Sequence, residues 1–176
     1  MRTLGLVHIY TGKGKGKTTA ALGLGLRAAG CGCRVCFFQF FKRGPFACGE
    51  QDAVKKLGAG FRFRRFNISH PFFAKTGPPV SRSGIDRTVS EVCRAIKSGR
   101  YDLIVLDEIL NGLSGGLIKE AAILKIIREK PAGLELVLTG RGLTKKLISA
   151  ADYVTSMDCV KHPFEKGVCA RKGIEF

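Results

Sequence analysis

The segment 11–18, TGKGKGKT, is a Gly- and Lys-rich loop of the kind that binds phosphate. Such loops contain Gly, any four residues and then Gly-Lys-Ser or Gly-Lys-Thr, and their backbone N–H groups cradle phosphate oxygens. Residues 16–18 supply the end of that pattern. Counting back, Thr11 stands where the first glycine belongs, and Gly12 follows one residue late. The spacing therefore predicts a polyphosphate-binding loop that is one residue short.

Two side chains of this loop have chemistry of their own. Lys17 is expected to reach phosphate oxygens, and the Thr18 hydroxyl is expected to bind a Mg2+ ion that bridges them. A flexible basic linker is the alternative interpretation, but it does not explain the strand-like run before the loop or the helix-like run after it. The other residues predicted to contact ATP are Gly12, Lys13, Gly14, Lys15, Gly16 and Thr19.

A pair of acids provides the second half of a nucleotide site. Asp107 is the last residue of the apolar run 101–107, YDLIVLD, and Glu108 follows it directly. Open α/β sheets bind ligands at the carboxyl ends of their strands. One or both carboxylates are therefore expected to complete the Mg2+ shell, directly or through water.

The elements that must position these groups alternate along the chain. Near-continuous apolar runs are typical of strands covered on both faces, as in a parallel sheet, and apolar residues at helical spacing separate them. This order predicts a three-layer α/β domain with a mostly parallel sheet. Strands are predicted at 4–10, 34–40, 101–107, 134–139 and, more weakly, 153–157; helices are predicted at 18–30, 84–99 and 117–130.

Residues 41–83 interrupt that alternation. Pro, Arg and Phe are concentrated there, in KRGPF, RFRRFNISHPFF and TGPPVSRS. Long insertions in compact α/β domains are often lids or binding loops, although a poorly ordered stretch is the alternative. The whole chain, 1–176, is predicted to be one domain with 41–83 as an inserted loop region.

The charge of the chain is strongly positive. Thirty Lys and Arg residues against fourteen Asp and Glu give a formal net charge of +16. Such a field favours nucleic acid, polyphosphates or acidic proteins as partners, whereas a merely solvated basic face is the alternative.

Cysteine usage and hydropathy bear on the compartment. The seven cysteines are an odd number and no leader-like segment precedes the first strand, which predicts reduced thiols and a cytoplasmic protein. Cys31, Cys33 and Cys36 could suggest a metal cluster, but no matching second pair accompanies them. No apolar run approaches the roughly 18 residues that span a bilayer, so a membrane role has no support.

A series of segments resembles the ATP:corrinoid adenosyltransferases of the CobA/CobO/BtuR type. In order they are YTGKGKGKTTAALGLGLRAAG, FFQFFKRG, GFRF, YDLIVLDEI, LVLTGRG, AADYVTSM and VKHPFEKGVCARKGIEF. The resemblance implies a RecA-like P-loop fold that transfers the 5′-deoxyadenosyl group of ATP to Co(I) of a corrinoid and releases triphosphate. It also explains the short loop, because the family's loop is one residue short.

The resemblance assigns roles to individual residues. Lys17, Thr18 and Glu108 carry over as catalytic groups, with Thr18, Glu108 and, second, Asp107 as Mg2+ ligands. Phe61 and Phe63 correspond to an aromatic pair that packs against the corrin, although Phe63 and Arg62 depart from the family's Trp and small polar residue. The alternative is that both phenylalanines only anchor the loop to the core.

Two further residues and several partners complete these expectations. Arg141 is expected to contact triphosphate or the corrinoid, with a surface cation as the alternative, and His162 is expected to make a structural or ribose-side contact. An acidic flavoprotein would suit the basic surface as electron donor, and family members often form homodimers.

The competing hypothesis is a RecA-like ATPase or nucleic-acid-binding module, motivated by the charge and by RFRRF, but no RNA-binding aromatic motif accompanies them.

Overall fold

Six parallel strands form one sheet in the computed structural model, which describes residues 4–42, 49–71 and 81–174. The strand order is β3-β2-β4-β5-β1-β6, and every neighbouring pair is parallel. The predicted α/β class with a mostly parallel sheet is thus confirmed. The strands are β1 (Val7–Thr11), β2 (Val35–Gln39), β3 (Phe61–Arg65), β4 (Leu103–Asp107), β5 (Glu135–Thr139) and β6 (Tyr153–Ser156).

Helices connect these strands. The three predicted helices are present as α1, α3 and α5, with ends shifted by at most three residues, whereas the shorter ones were not predicted. The helices are α1 (Lys17–Gly30), α2 (Gly49–Lys55), α3 (Arg82–Lys97), α4 (Ile109–Ser114), α5 (Glu120–Glu129) and α6 (Lys145–Ala150), and a 3-10 turn covers Pro163–Lys166. None of the described helices is long and apolar enough to cross a membrane.

The central strands are buried on both faces, which makes the domain three-layered. All five residues of β2 and of β4 are buried. Alternate side chains enter two separate apolar clusters: Phe38 and Leu106 pack with α3 and α5, while Phe37 and Val105 pack with α1. Continuous apolar runs are needed because both sides of these strands face helices.

The segment 41–83 contains regular structure that sequence patterns did not predict. It includes α2 and the edge strand β3, whose side chains alternate between buried Phe61 and exposed Arg62 and Arg64. An arginine on every second residue is tolerated because β3 lies at the edge of the sheet, where one face is partly open to solvent. Residues 43–48 and 72–80 of the predicted insertion lie outside the described residues.

Parallel pairing gathers the predicted functional residues. Since all six strands run the same way, their carboxyl ends meet at one edge of the sheet. The phosphate loop follows β1, Lys42 follows β2, Glu108 follows β4 and Arg141 follows β5. Residues that are far apart in the sequence therefore face a common space at this edge.

Candidate active site

The phosphate loop is shaped by close contact with the segment after β6. Gly12 and Gly16 have φ angles of +99° and +106°, values that favour glycine. A Cβ on Gly12 would lie 2.4 Å from the carbonyl oxygen of Met157, and Gly14 donates its N–H to the same oxygen at 2.7 Å. The glycines are thus required both by the turn and by packing against residue 157, a support that the loop's own sequence does not indicate.

Lys17 folds back over its own loop. Its Nζ donates hydrogen bonds to the carbonyl oxygens of Gly12, at 2.8 Å, and Gly14, at 2.6 Å. Burial and then the nearby Arg141 charge lower the pKa of Lys17, while Glu108 opposes them. The ammonium is therefore held inside the loop's curve, where the backbone N–H groups of such a loop meet phosphate.

Asp107 is completely buried and has three donors. Its Oδ1 accepts hydrogen bonds from the hydroxyls of Thr18, at 3.0 Å, and Thr139, at 2.7 Å, and its Oδ2 accepts from Gln39 Nε2 at 3.2 Å. Burial raises its pKa, and the hydrogen bonds, led by that from Thr139, act against the rise. Gln39 and Thr139 were not predicted; the signal available was a polar residue at the end of each apolar strand.

Glu108 presents an oxygen that lacks a donor. Its backbone has a φ of +64°, and its N–H donates to Thr139 Oγ1 at 2.9 Å. Lys42 Nζ lies 3.8 Å from Oε1 and His70 Nε2 lies 3.7 Å from Oε2, yet Oε2 is buried and accepts no hydrogen bond from the described residues. Burial and then the charge of Asp107 raise the pKa of Glu108 to about 7.

The oxygen atoms at this point suit a hard cation. Thr18, Asp107 and Glu108 offer a hydroxyl and two carboxylates, the ligand type that Mg2+ prefers. The unpaired Oε2 of Glu108 is a buried acceptor that a cation would satisfy. Among the described residues no cluster of three or more His, Cys, Asp or Glu side chains forms a metal cage, so substrate oxygens and water would have to complete the shell.

Arg141, which follows β5, contacts the phosphate loop. Its guanidinium donates to the carbonyl oxygen of Lys13 at 3.1 Å, and its backbone N–H donates to Asn111 Oδ1 at 2.7 Å. The neighbouring Gly140 has a φ of +129°, and a Cβ there would lie 3.0 Å from Asn111. The loop that carries Arg141 is thus packed against the start of α4, and Asn111 is a site residue that sequence analysis missed.

A cavity of about 700 Å³ joins these groups to the insertion. Phosphate-loop residues and Arg141 form one part of its wall, and Lys42, Glu50 and His70 from the segment 41–83 form another. The remaining lining residues include Leu22, Thr139, Gly140, His162, Gly173 and Ile174. His162 also accepts the Phe164 N–H on its Nδ1 at 3.1 Å, so it has a structural contact and faces the cavity.

Phe61 and Phe63 do not line this cavity. Phe61 is 4% exposed and packs against α1, where a Cβ on Gly25 would approach its ring to 2.9 Å. Phe63 is half-buried and stacks on Phe37 with ring centroids 5.1 Å apart. The placement of Phe61 agrees with the alternative in which this ring only anchors the loop to the core. A corrinoid contact by Phe61 or Phe63 stays a prediction.

Fold and site together define a P-loop nucleotide-binding α/β protein. Flagellar accessory protein FlaH from Methanocaldococcus jannaschii has a similar structure, with a TM-score of 0.59 over 87% of this chain and 71% of that protein, at 12% sequence identity. This likeness supports the predicted three-layer α/β fold.

Sequence comparison then gives the family. The chain belongs to the ATP:corrinoid adenosyltransferase BtuR/CobO/CobP family, whose model matches residues 3–176. A corrinoid adenosyltransferase from Sinorhizobium sp. is 34% identical over 98% of this chain and 80% of its own length. One from Escherichia coli K12 is 31% identical over 98% and 86%, and one from Pseudomonas aeruginosa is 45% identical over 42% and 36%. The family resemblance that the sequence segments indicated is thus confirmed.

Proposed function

We propose that this protein transfers the 5′-deoxyadenosyl group of ATP to the Co(I) centre of a corrinoid and releases triphosphate. Cobalt attacks the ribose C5′ and forms the Co–C bond. The C5′–O bond breaks, its electron pair leaves with the triphosphate, and Co(I) becomes formally Co(III). The reaction needs no side chain that deprotonates water, so the protein's tasks are orientation, charge stabilisation and exclusion of solvent.

The observation that carries this proposal is the shared cavity. The phosphate loop lines this cavity together with Lys42 and His70 from the insertion. A nucleotide held by the loop would therefore have its remaining parts close to the insertion. Within a family of ATP:corrinoid adenosyltransferases, this arrangement supports ATP on the loop side and the corrinoid on the insertion side.

The loop's cations suit a triphosphate that leaves intact. Lys17 and Arg141 both contact the loop backbone, at Gly14 and Lys13 respectively. Negative charge grows on the bridging oxygen as the C5′–O bond breaks, and fixed cations stabilise it without reorganising. Lys13 and Lys15 are exposed beside them on the same cavity wall and are proposed as further ATP contacts.

Mg2+ fits the acidic end of the same site. Glu108 is the proposed direct ligand because its Oε2 has no hydrogen-bond donor among the described residues. The Thr18 hydroxyl, which contacts the neighbouring Asp107, is proposed as a second ligand. Asp107 is proposed to act mainly by holding Thr18, since its oxygens already accept three hydrogen bonds. When bound, the cation would neutralise phosphate charge.

Adenosyl transfer is tested by mixing protein, ATP and Mg2+ with chemically reduced cobalamin. We expect the absorbance change of cobalt–carbon bond formation together with one triphosphate per corrinoid converted. Lys17→Met should abolish the product, whereas Lys125→Met, at an exposed position of α5, should not. Release of orthophosphate without a change in the corrinoid would contradict the proposal.

The basic surface motivates a proposal about the electron donor. A formal charge of +16 would attract an acidic flavoprotein that reduces Co(II), and salt would weaken that attraction. The rate of reduction by such a donor should fall as ionic strength rises. A rate that is independent of ionic strength would exclude this kind of partner, and formation of a homodimer stays a prediction.

A further inference from the structure

Asn111 is a buried amide in the first turn of α4, three residues after Glu108. Asn111 is 8% exposed. A buried amide needs hydrogen bonds to offset the loss of its contacts with water. Its side chain contacts the Arg141 backbone on one side and the His70 ring on the other. It also hydrogen-bonds the carboxyl group of Glu108 and so lowers the pKa of that group. The amide therefore bridges two segments that both line the cavity.

The orientation of this amide follows from its Arg141 contact. A backbone N–H can only donate, so the atom that lies 2.7 Å from Arg141 N must be the acceptor Oδ1. Nδ2 consequently faces His70, with 3.2 Å between Nδ2 and Nε2. The hydrogen bond from Arg141 therefore fixes which end of the amide faces His70.

The same logic extends to the histidine. An amide NH2 group only donates, so Nε2 of His70 must accept, and the ring proton must sit on Nδ1. Nε2 then has no hydrogen to offer Glu108 Oε2, which lies 3.7 Å away and accepts no hydrogen bond from the described residues. The carboxylate of Glu108 is thereby kept from pairing with the ring.

We propose that Asn111 is a positioning residue that joins the loop 140–144 to His70 and fixes Nε2 of His70 as an acceptor. This inference rests on the proposed function, because it assigns the loop side to ATP and the His70 side to the corrinoid. Through Arg141, the bridge touches the segment that grips Lys13. Through His70, it touches the wall formed by the insertion.

Asn111→Asp tests the His70 contact of Asn111 separately from its Arg141 contact. The carboxylate keeps an acceptor for the Arg141 N–H but places an oxygen opposite His70 Nε2, which must then carry a proton. Asn111→Ala removes both of these contacts and the hydrogen bond with Glu108. Asn67→Asp is the matched control, since it adds the same charge at an exposed position three residues from His70.

The direct readout is the protonation of the His70 ring nitrogens by 15N NMR of the protein without substrates. In the wild type and in Asn67→Asp, Nε2 should have the chemical shift of an unprotonated nitrogen; in Asn111→Asp it should have that of a protonated one. A wild-type His70 with its proton on Nε2 would overturn the inference. This measurement needs no adenosyl transfer, so it stays informative if the proposed function fails.

Steady-state kinetics test the link between the two sides. A lost hydrogen bond is worth about 0.5–1.5 kcal/mol, which is roughly 2- to 12-fold. Asn111→Ala should raise both the corrinoid KM and the ATP KM within that range, because the amide contacts segments on both sides of the cavity. An Asn111→Ala effect on only one of the two KM values, or one no larger than that of Asn67→Ala, would overturn the assignment. Absence of any adenosylated corrinoid with the wild type would instead count against the proposed function.

Discussion

The hydroxyl of Thr139 donates a 2.7 Å hydrogen bond to Oδ1 of Asp107 and so joins the ends of β5 and β4. Oγ1 of Thr139 in turn accepts the N–H of Glu108 at 2.9 Å. One hydroxyl thus holds both acids of the candidate Mg2+ site. Its position at the last residue of a buried strand leaves water little access, since Thr139 is 1% exposed.

Thr139→Val should therefore weaken both the fold and the site. The substitution keeps the shape of the side chain but leaves the Asp107 oxygen and the Glu108 N–H without this partner, at a cost of about 1–3 kcal/mol. Urea denaturation measures that loss, and calorimetry with Mg2+ and ATP should show lower affinity. Thr139→Ser keeps the hydroxyl and is expected to retain most of both, so equal losses in the two variants would contradict this role.

Two glycines in α1 should respond in opposite ways to alanine. Each costs about 1 kcal/mol relative to alanine in a helix interior. A Cβ on Gly23 meets nothing within 4 Å, so Gly23→Ala should raise the melting temperature. A Cβ on Gly25 would lie 2.9 Å from the buried Phe61 ring, and overpacking of this kind costs about 1–3 kcal/mol. The Gly25→Ala protein should have a lower melting temperature than the Gly23→Ala protein. The reverse order would argue against tight packing of Phe61 on α1.

The functional groups that sequence analysis identified are those with local signatures. Lys17 and Thr18 belong to a motif, and Asp107 and Glu108 end an apolar run. Their meeting follows from parallel pairing: Thr18 and Asp107 are 89 residues apart and form a 3.0 Å hydrogen bond. Asn111 was missed because its role depends on partners 30 and 41 residues away, which no short pattern encodes.

The edge strand was missed for a related reason. The run FRFRR alternates apolar and charged residues. It lies in an Arg- and Phe-rich segment, however, in which no clear turn signal marks the end of the strand. Its strand conformation depends on pairing with β2, where Phe63 meets Phe37. Tertiary context therefore decides this element, whereas β2 and β4 were predictable from continuous apolar runs.

Glu108 should make stability depend on pH in an unusual direction. Its pKa is raised from the ordinary 4.5 to about 7, so the folded protein binds this proton more tightly than the unfolded chain does. Its contribution therefore favours the folded state below about pH 4.5 and is lost as pH rises towards 7. In a metal-free buffer, the difference in free energy of unfolding between wild type and Glu108→Gln should shift against the wild type over that interval. A difference that is constant from pH 4.5 to 7 would contradict the raised pKa.

Binding of Mg2+ with ATP should release a proton from the same group. A bound cation favours the ionised carboxylate, so the apparent affinity should rise with pH and level off above about pH 7. Calorimetry in buffers with different ionisation enthalpies measures the proton released near pH 6.5. Glu108→Gln should release fewer protons and keep only the pH dependence that the terminal phosphate of ATP contributes. Glu165→Gln, in the exposed 3-10 turn, should behave like the wild type.

Phe63 offers a cleaner test of corrinoid contact than Phe61. Truncation of the buried Phe61 to alanine should cost about 3–5 kcal/mol through loss of core packing alone, which would obscure any effect on binding. Phe63 is half-buried and stacks on Phe37, so Phe63→Leu should lower stability less. If the ring contacts the corrin, Phe63→Leu should raise the corrinoid KM several-fold while the ATP KM stays unchanged. An unchanged corrinoid KM would leave Phe63 as an anchor of β3 on β2 and would move the search for the corrin contact to the wall that carries Lys42 and His70.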